Sequence, residues 1–362
     1  MTASRAGSQA RLRARESGAM ARARELGAHV LGTTSPNPPV GAVILAADGT
    51  PVGEGATAAP GGPHAEVTAL AQAGERARGG TAVVTLEPCA HTGRTGPCAD
   101  ALIAAGIARV VVAVPEPSEL AGGGAERLRA AGVDVELGVE QAEAEDGALA
   151  AWLTGVHERR PFVVWKVAAT LDGRVAAADG TSRWITGEQA RAAVHRLRAT
   201  CDAVVVGSGT ALTDDPQLTV RDAAGRATGR RPLRVVVDRS GRLPRTARVL
   251  DDAAPTHVSR AGTPAELLGE LFDRDVRRVL LEGGPTLAAA FLRGGLVDEA
   301  IVHLAPTLLG AGPSLVGDLG ISTMADALSF RIVDLIPMGG DLQIRLRPTR
   351  HTGGRQHADE GS

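Results

Sequence analysis

Short Val-rich apolar runs alternate with Ala-rich stretches along this chain. In the first half, VGAVILA (40–46), TAVVTLE (81–87), ARVVVAV (108–114) and VDVELG (133–138) predict strands. Between them, ESGAMARARELGAHV, HAEVTALAQAGERA, CADALIAAG and GGAERLRAAG predict helices, and several end in Gly, as helix C-termini commonly do. The polar, acidic stretch 139–161 also reads as helical, and a new strand opens at PFVVWKVAA. The second half repeats the alternation. FVVWKVAA, CDAVVVGS, LRVVVD, VRRVLLEGG and EAIVHLAP predict strands, and TGEQARAAVHRLRAT, TPAELLGELFDRD and PTLAAAFLRGG predict helices. Such alternation marks an α/β layer structure.

The join is placed near residue 147, giving domains at 16–147 and 148–348, with tails at 1–15 and 349–362. The first tail is rich in Arg, Ala and Ser and poor in acids. It reads as a solvated segment rather than a transit peptide. There is no apolar h-region after the first Met and no run of about eighteen apolar residues, so a cytoplasmic protein is expected, with no membrane partner. Charge is near balance, with 39 basic and 41 acidic residues, and aromatic residues make up 2 % of the chain. A nucleic-acid binder would show a basic face or aromatic stacking platforms, so a small-molecule substrate is expected instead.

With 3 Cys in 362 residues there is no disulfide framework. Two of them, Cys89 and Cys98, stand in the single loop TLEPCAHTGRTGPC. Upstream, PHAEVTAL places His64 and Glu66 where a helix should begin. Cys89 follows a strand and Cys98 opens a helix, and a helix N-terminus favours a thiolate. One imidazole and two thiols supply three ligands for tetrahedral zinc and leave the fourth position for water, the arrangement of catalytic sites. Glu66 then shuttles protons. H-x-E followed by P-C fits the zinc-deaminase signature, although the second Cys here follows eight residues later instead of two. H-A-E alone carries little weight; its combination with EPC, each at an element boundary, carries the expectation. Cys201 reads as a small core residue.

SPNPPVGAVI (35–44), GGPHAEVTAL (61–70) and TLEPCAHTGRTGPCADALIAAG (85–106) resemble the deaminase domain of the bifunctional riboflavin-biosynthesis proteins of the RibD type. WKVAATLDGRVA, SRWITG, VGSGTALTDDPQLTVR and LEGGPTLAAAFL resemble that family's reductase domain, in the same order. The resemblance implies an N-terminal cytidine-deaminase-like three-layer α/β/α domain followed by a dihydrofolate-reductase-like α/β domain. It also implies two steps on a pyrimidine ribotide. The first is hydrolytic deamination of 2,5-diamino-6-ribosylamino-4(3H)-pyrimidinone 5′-phosphate. The second is NADPH reduction of the product's ribosylamino group to a ribityl chain.

On this resemblance His64, Cys89 and Cys98 hold Zn2+, Glu66 is the proton shuttle, and Asn37, His91 and Arg94 contact the first substrate. Ala168, Trp184, Thr210, Asp214 and the stretch Gly284, Pro285, Thr286, Leu287, Ala288, Ala289 and Ala290 lie along NADPH. Ser182, Arg198, Leu218, Arg221 and Glu282 meet the sugar phosphate, and Lys166 is a catalytic-site residue. Read from its residues alone, Lys166 in an apolar strand either reaches a partner or points outward, and Glu282-Gly283-Gly284 before a helix suits a pyrophosphate. A homo-oligomer, dimer or tetramer, is implied by the resemblance alone. The chain departs from the family at Glu116-Pro117-Ser118-Glu119, where relatives carry Asp-Pro-Asn-Pro. That departure leaves open a reductase whose zinc domain is structural.

Overall fold

The computed structural model describes residues 2–91, 96–118 and 122–349. Two compact units emerge. One runs to Phe162 and takes in Ala199–Asp202 and Leu268–Val279; the other comprises Val163–Arg198, Ala203–Leu267 and the chain from Leu280 on.

The first unit contains α1 (Thr2–His29), β1 (Gly41–Leu45), β2 (Pro51–Ala56), α2 (Ala65–Ala73), β3 (Thr81–Leu86), α3 (Cys98–Ala104), β4 (Arg109–Val114), α4 (Gly124–Ala130), β5 (Asp134–Glu136), α5 (Gln141–Glu145) and α6 (Ala150–Glu158). Its five strands are ordered β2-β1-β3-β4-β5. β1 runs antiparallel to β2 and β3, while β3, β4 and β5 are parallel. Two glycines show how the layers are stacked. A Cβ on Gly41 would stand 1.9 Å from the Ala23 carbonyl oxygen of α1, and one on Gly55 would stand 2.2 Å from the Ala65 carbonyl oxygen of α2. Gly55 is paired with Ala42, the neighbour of Gly41, so the two glycines face opposite sides of the sheet. α1 and α2 therefore lie on opposite faces, with backbone nearly touching backbone. This is the expected α/β/α sandwich.

Two sequence expectations shift here. α1 is continuous from Thr2, so residues 2–15, expected as a tail, are helical. Ala and Arg are strong helix formers, and because residues 10–15 are exposed they carry no apolar stripe to betray the helix. The expected join at 147 falls between α5 and α6, and Leu149 and Leu153 still pack in the first sheet's core.

The second unit is built on β6 (Phe162–Thr170), α7 (Glu188–Ala199), β7 (Ala203–Gly207), α8 (Ser208–Asp214), β8 (Leu233–Val237), β9 (Thr256–Ser259), α9 (Pro264–Phe272), β10 (Arg278–Leu281), α10 (Pro285–Arg293), β11 (Glu299–Ala305), β12 (Phe330–Met338) and β13 (Asp341–Pro348). The strand order is β12-β13-β11-β6-β10-β7-β8-β9. Val204–Val206, Val235–Val236 and Val279–Leu281 are fully buried, as expected for strands covered on both faces. Arg234 of β8 is also fully buried; its two Nη groups donate to Asp251 and to the carbonyls of Gln217, Asp251 and Ala254, while its Nε has no partner among the described residues.

Candidate active sites

In the first unit the end of β3 and the starts of α2 and α3 converge. His64 is the residue before α2, Cys98 is the first residue of α3, and Cys89 stands three residues past β3. His64 Nδ1 lies 3.2 Å from Cys98 Sγ and 3.7 Å from Cys89 Sγ, and the Cys98 backbone N–H donates to Cys89 Sγ at 3.4 Å. All three ligand atoms fall within 4.8 Å of one another, and among the described residues no fourth His, Cys, Asp or Glu joins them. Tetrahedral zinc with Zn–S and Zn–N bonds of about 2.3 and 2.1 Å separates such ligands by roughly 3.6–3.8 Å. The donor set and its spacing therefore fit that ion.

The Cys98 thiol donates to Cys89, and this, with the His64 contact, holds Cys89 well below the ordinary thiol range. The same hydrogen bond, with burial, pushes Cys98 up. Contact with Cys89 raises His64. Glu66, in the first turn of α2, is 4 % exposed, and burial raises its pKa above the carboxylate norm.

Asn37 is half-buried and donates its backbone N–H to Thr34 O at 2.8 Å. His91 is exposed just beyond Cys89, and Arg94 lies outside the described residues. Sequence reasoning missed Glu87. Its buried carboxylate accepts the backbone N–H groups of Glu116 at 3.1 Å and Ala125 at 2.8 Å, so it ties both of these positions to the strand leading to Cys89. Glu116 in turn accepts from the Ser118 N–H at 3.0 Å, and burial raises its pKa.

The second unit holds a cavity of about 1110 Å³. Lys166 and Ala168 reach it from one face of β6. Ser182 and Trp184 come from the loop after β6, and Thr210 and Asp214 from α8. Neighbouring strands β7 and β10 each run directly into a helix here, α8 and α10. Gly284 precedes α10, with Pro285 in its first turn, so the free N–H groups of both helices open toward the cavity. A Cβ on Gly284 would stand 3.5 Å from Thr210 Oγ1. Its absence keeps the backbone open between two helix starts, which fits a dinucleotide's pyrophosphate.

Deeper in, Arg198 grips Glu282 through Nε–Oε1 at 2.6 Å and Nη2–Oε2 at 2.8 Å, while Nη1 donates to Thr219 O at 3.0 Å. Burial opposes the Glu282 charge, but Arg198 and nearby Lys166 hold its pKa below the norm. Burial lowers Lys166, Glu282 partly offsets that, and Arg198 adds to it.

The sequence pattern described as the cytidine and deoxycytidylate deaminase zinc-binding region matches residues 14–114, and the RibD C-terminal domain matches residues 161–344. The riboflavin biosynthesis protein RibD of Mycobacterium tuberculosis is 48% identical over 328 residues, covering 91% of this chain and 96% of its own. The chain belongs to the RibD family. The Escherichia coli RibD is 41% identical over 363 residues, covering 90% of this chain and 98% of its own. In structure, Acinetobacter baumannii RibD matches with a TM-score of 0.83 at 41% identity, over 93% of this chain and 99% of that one. The Thermotoga maritima diaminohydroxyphosphoribosylaminopyrimidine deaminase/5-amino-6-(5-phosphoribosylamino)uracil reductase matches with a TM-score of 0.84 at 35% identity, over 92% and 99%. The fold is thus a cytidine-deaminase-like domain followed by a dihydrofolate-reductase-like RibD domain.

Within this RibD chain, the cavity gathers Arg198, Leu218 and Glu282, and it gathers Pro285, Thr286, Leu287 and Ala290 of α10. Ala288 and Ala289 depart from the expectation. They are 0 % and 1 % exposed on the core face of α10, because a helix turns only one stripe, here Leu287 and Ala290, to the cavity. Arg221 does not line the cavity either. Its guanidinium donates to Gly225 O and Gln217 Oε1, and its backbone N–H donates to His195 Nδ1 at 3.2 Å. The cavity also takes in Arg183, Arg191, His195, Arg239 and Arg242, which the sequence reading did not single out. His195 stands three residues before Arg198 on α7, a spacing that places both on one helix face and could have revealed it.

Proposed function

We propose that this RibD chain is a bifunctional riboflavin-pathway enzyme acting on a small pyrimidine ribotide. It deaminates 2,5-diamino-6-ribosylamino-4(3H)-pyrimidinone 5′-phosphate and then reduces the 5-amino-6-(5-phosphoribosylamino)uracil product. The observation that carries this reading is the triangle of His64, Cys89 and Cys98 with buried Glu66 beside it. A structural site would gain nothing from that carboxyl. His64, Cys89 and Cys98 would hold Zn2+, which when bound lowers the pKa of a water at its open position. Glu66 takes the proton as the water oxygen bonds to C2 of the pyrimidine and passes it to the exocyclic amine, which leaves as ammonia. The low dielectric around Glu66 keeps its proton affinity high enough for both halves of that transfer. Asn37, His91 and Arg94 are assigned to contact with this substrate. The unit with the metal triangle is assigned to the first reaction and the unit with the cavity to the second.

In the second site, bound NADPH supplies the hydride that reduces the sugar carbon attached to the ring nitrogen. Ala168, Trp184, Thr210, Asp214 and, at the start of α10, Gly284, Pro285, Thr286, Leu287 and Ala290 are assigned to the cofactor. Lys166, Ser182, Leu218 and the Arg198–Glu282 pair are assigned to the sugar phosphate. Lys166 lines the cavity close to Arg198 and Glu282, which places its amine for a substrate hydroxyl. No described helix is long and apolar enough to cross a membrane. A cytoplasmic homo-oligomer, dimer or tetramer, completes the proposal.

The test assays the halves separately on metal-analysed protein. Zinc at about one equivalent, ammonia release from the diaminopyrimidine ribotide without NADPH, and NADPH oxidation on the deaminated product support the reading. A zinc-loaded protein that releases no ammonia would leave only the reductase.

A further inference from the structure

Two side chains of α7, His195 and Arg198, reach the same short stretch of backbone, and only Arg198 has a role in the reactions described above. The stretch follows Leu218, which lines the cavity with a φ of 54°. That is the left-handed region, where a bulky side chain is strained and stays only if its surroundings hold it. From α7, Arg198 Nη1 donates to Thr219 O at 3.0 Å, and His195 Nδ1 accepts the Arg221 backbone N–H at 3.2 Å. The two side chains stand three residues apart, on one face of the helix. Away from α7, Arg234 Nη1 donates to Gln217 O at 3.3 Å, and the Thr228 N–H donates to Val220 O at 3.0 Å. Leu218 is therefore fixed from both directions along the chain.

His195 can accept this bond only while its ring is neutral, with the ring hydrogen on Nε2. Burial and Arg198 lower its pKa. Glu282 and the Thr219 carbonyl act the other way, and Arg221 adds to the lowering. Glu282 and the Thr219 carbonyl are both engaged by Arg198, which blunts their pull on the imidazole. The ring therefore takes up its proton below the ordinary histidine value of about 6.5. Once charged, it carries hydrogen on both nitrogens, and Nδ1 meets the Arg221 N–H donor to donor. One of the two α7 attachments is then lost.

We propose that His195 is a positioning residue for the reduction: together with Arg198 it braces residues 219–221 against α7 and so holds Leu218 in place for the ribotide. The proposal rests on the reading of this cavity as the reductase site. His195 acts through Leu218 and not on the reacting atoms, so it governs ribotide affinity and leaves the hydride step and NADPH binding alone. One hydrogen bond of this kind corresponds to about threefold to tenfold in affinity.

The test measures reduction of the deaminated ribotide by NADPH between pH 5 and 8 in three proteins. They are the wild type, His195→Asn, whose Oδ1 stands where Nδ1 does and does not titrate, and His195→Leu, which has no acceptor. The ribotide phosphate itself titrates near pH 6, so the readout is the ratio of KM values between proteins at each pH. At pH 8 the Asn variant should have a ribotide KM within about twofold of wild type, and the Leu variant one about threefold to tenfold higher. At pH 5 the wild-type KM should have risen about threefold to tenfold relative to the Asn variant and should approach that of the Leu variant. In all three, kcat and the KM for NADPH should agree within about twofold. A Leu variant with the wild-type KM, or an Asn variant that follows the wild type at every pH or matches the Leu variant at pH 8, overturns the brace. A fall in kcat at unchanged KM overturns it too, because His195 would then act on the reacting atoms. Should the Leu variant not fold, the ratio of wild type to Asn variant across pH decides alone. A wild type that reduces no ribotide at any pH would instead overturn the assignment of the cavity, so the two failures are distinguishable.

Discussion

Replacing Gly55 by Ala tests whether the sheet fixes the metal ligands. The new methyl would stand 2.2 Å from Ala65 O, 2.7 Å from Ala69 N and 2.9 Å from Thr68 Cβ. The first two are helix backbone and cannot swing aside, so α2 must retreat by about 1 Å to restore ordinary contact near 3.4 Å. Overpacking of this kind costs about 1–3 kcal/mol. The larger consequence is for His64, which immediately precedes α2 and whose carbonyl accepts the Thr68 N–H at 3.1 Å, so it moves with the helix. Cys89 sits at the end of β3 and does not. Zinc ligation tolerates about 0.2 Å of error in a bond length, five times less than the expected displacement. Zinc affinity should therefore fall about 10- to 100-fold and ammonia release about 100-fold. NADPH oxidation on the deaminated product should stay at the wild-type rate. Chelator-competition titration and the two separate assays read this directly. A Gly55→Ala protein that keeps zinc affinity and ammonia release within twofold of wild type would refute the argument that this close approach positions His64.

Further outcomes follow from the same structure. Glu66→Ala should keep zinc but slow ammonia release about 10²- to 10⁴-fold, with NADPH oxidation on deaminated substrate unchanged; loss of zinc would make Glu66 structural. Glu282→Gln leaves Arg198 a buried charge with the Thr219 carbonyl as its chief partner, so stability should drop by about 3–5 kcal/mol and reduction should stop, as seen by denaturant melts and NADPH oxidation. His303 on β11 is 1 % exposed, bonds Gln343 through Nε2, and is pushed down to about 4 by burial and by Lys166. Below its unfolded value near 6.5 the unfolded chain binds the extra proton first, so stability should fall by up to about 3 kcal/mol as pH drops from 6.5 to 4. His303→Gln should flatten that slope in denaturation curves across this window. Chelation of zinc should abolish ammonia release and spare NADPH oxidation.

The strands buried on both faces, such as VVVG of β7 and VLL of β10, were legible because an apolar run leaves the chain little alternative. β2, PVGEGA, was not, because the close approach of α2 demands small residues where a strand signal would need Val or Ile. The hairpin β12–β13 and the short helix α8 were also missed. β12 alternates exposed and half-buried positions without a clean apolar face, and α8, a helix of 7 residues, reads as a Gly-rich loop. The metal triangle was readable because each ligand abuts an element boundary. Apart from Lys166 and the Glu282-Gly283-Gly284 turn, the reductase site was readable through the family's motifs, and those overreached at Ala288 and Ala289, where helix phase decides which side chain meets the cavity. Arg221 was misplaced for another reason: its guanidinium is already occupied locally, which no spacing rule reports.

The Glu87 clamp bears on anyone wishing to restore the family's Asp-Pro-Asn-Pro at 116–119. The acid holding this loop lies next to Pro88 and Cys89, so loop and thiol share one anchor rather than forming exchangeable parts. A graft must keep the amide hydrogens of positions 116 and 125 in place. A proline at 116 would delete one of them, and the slack would be passed along the chain to the sulfur.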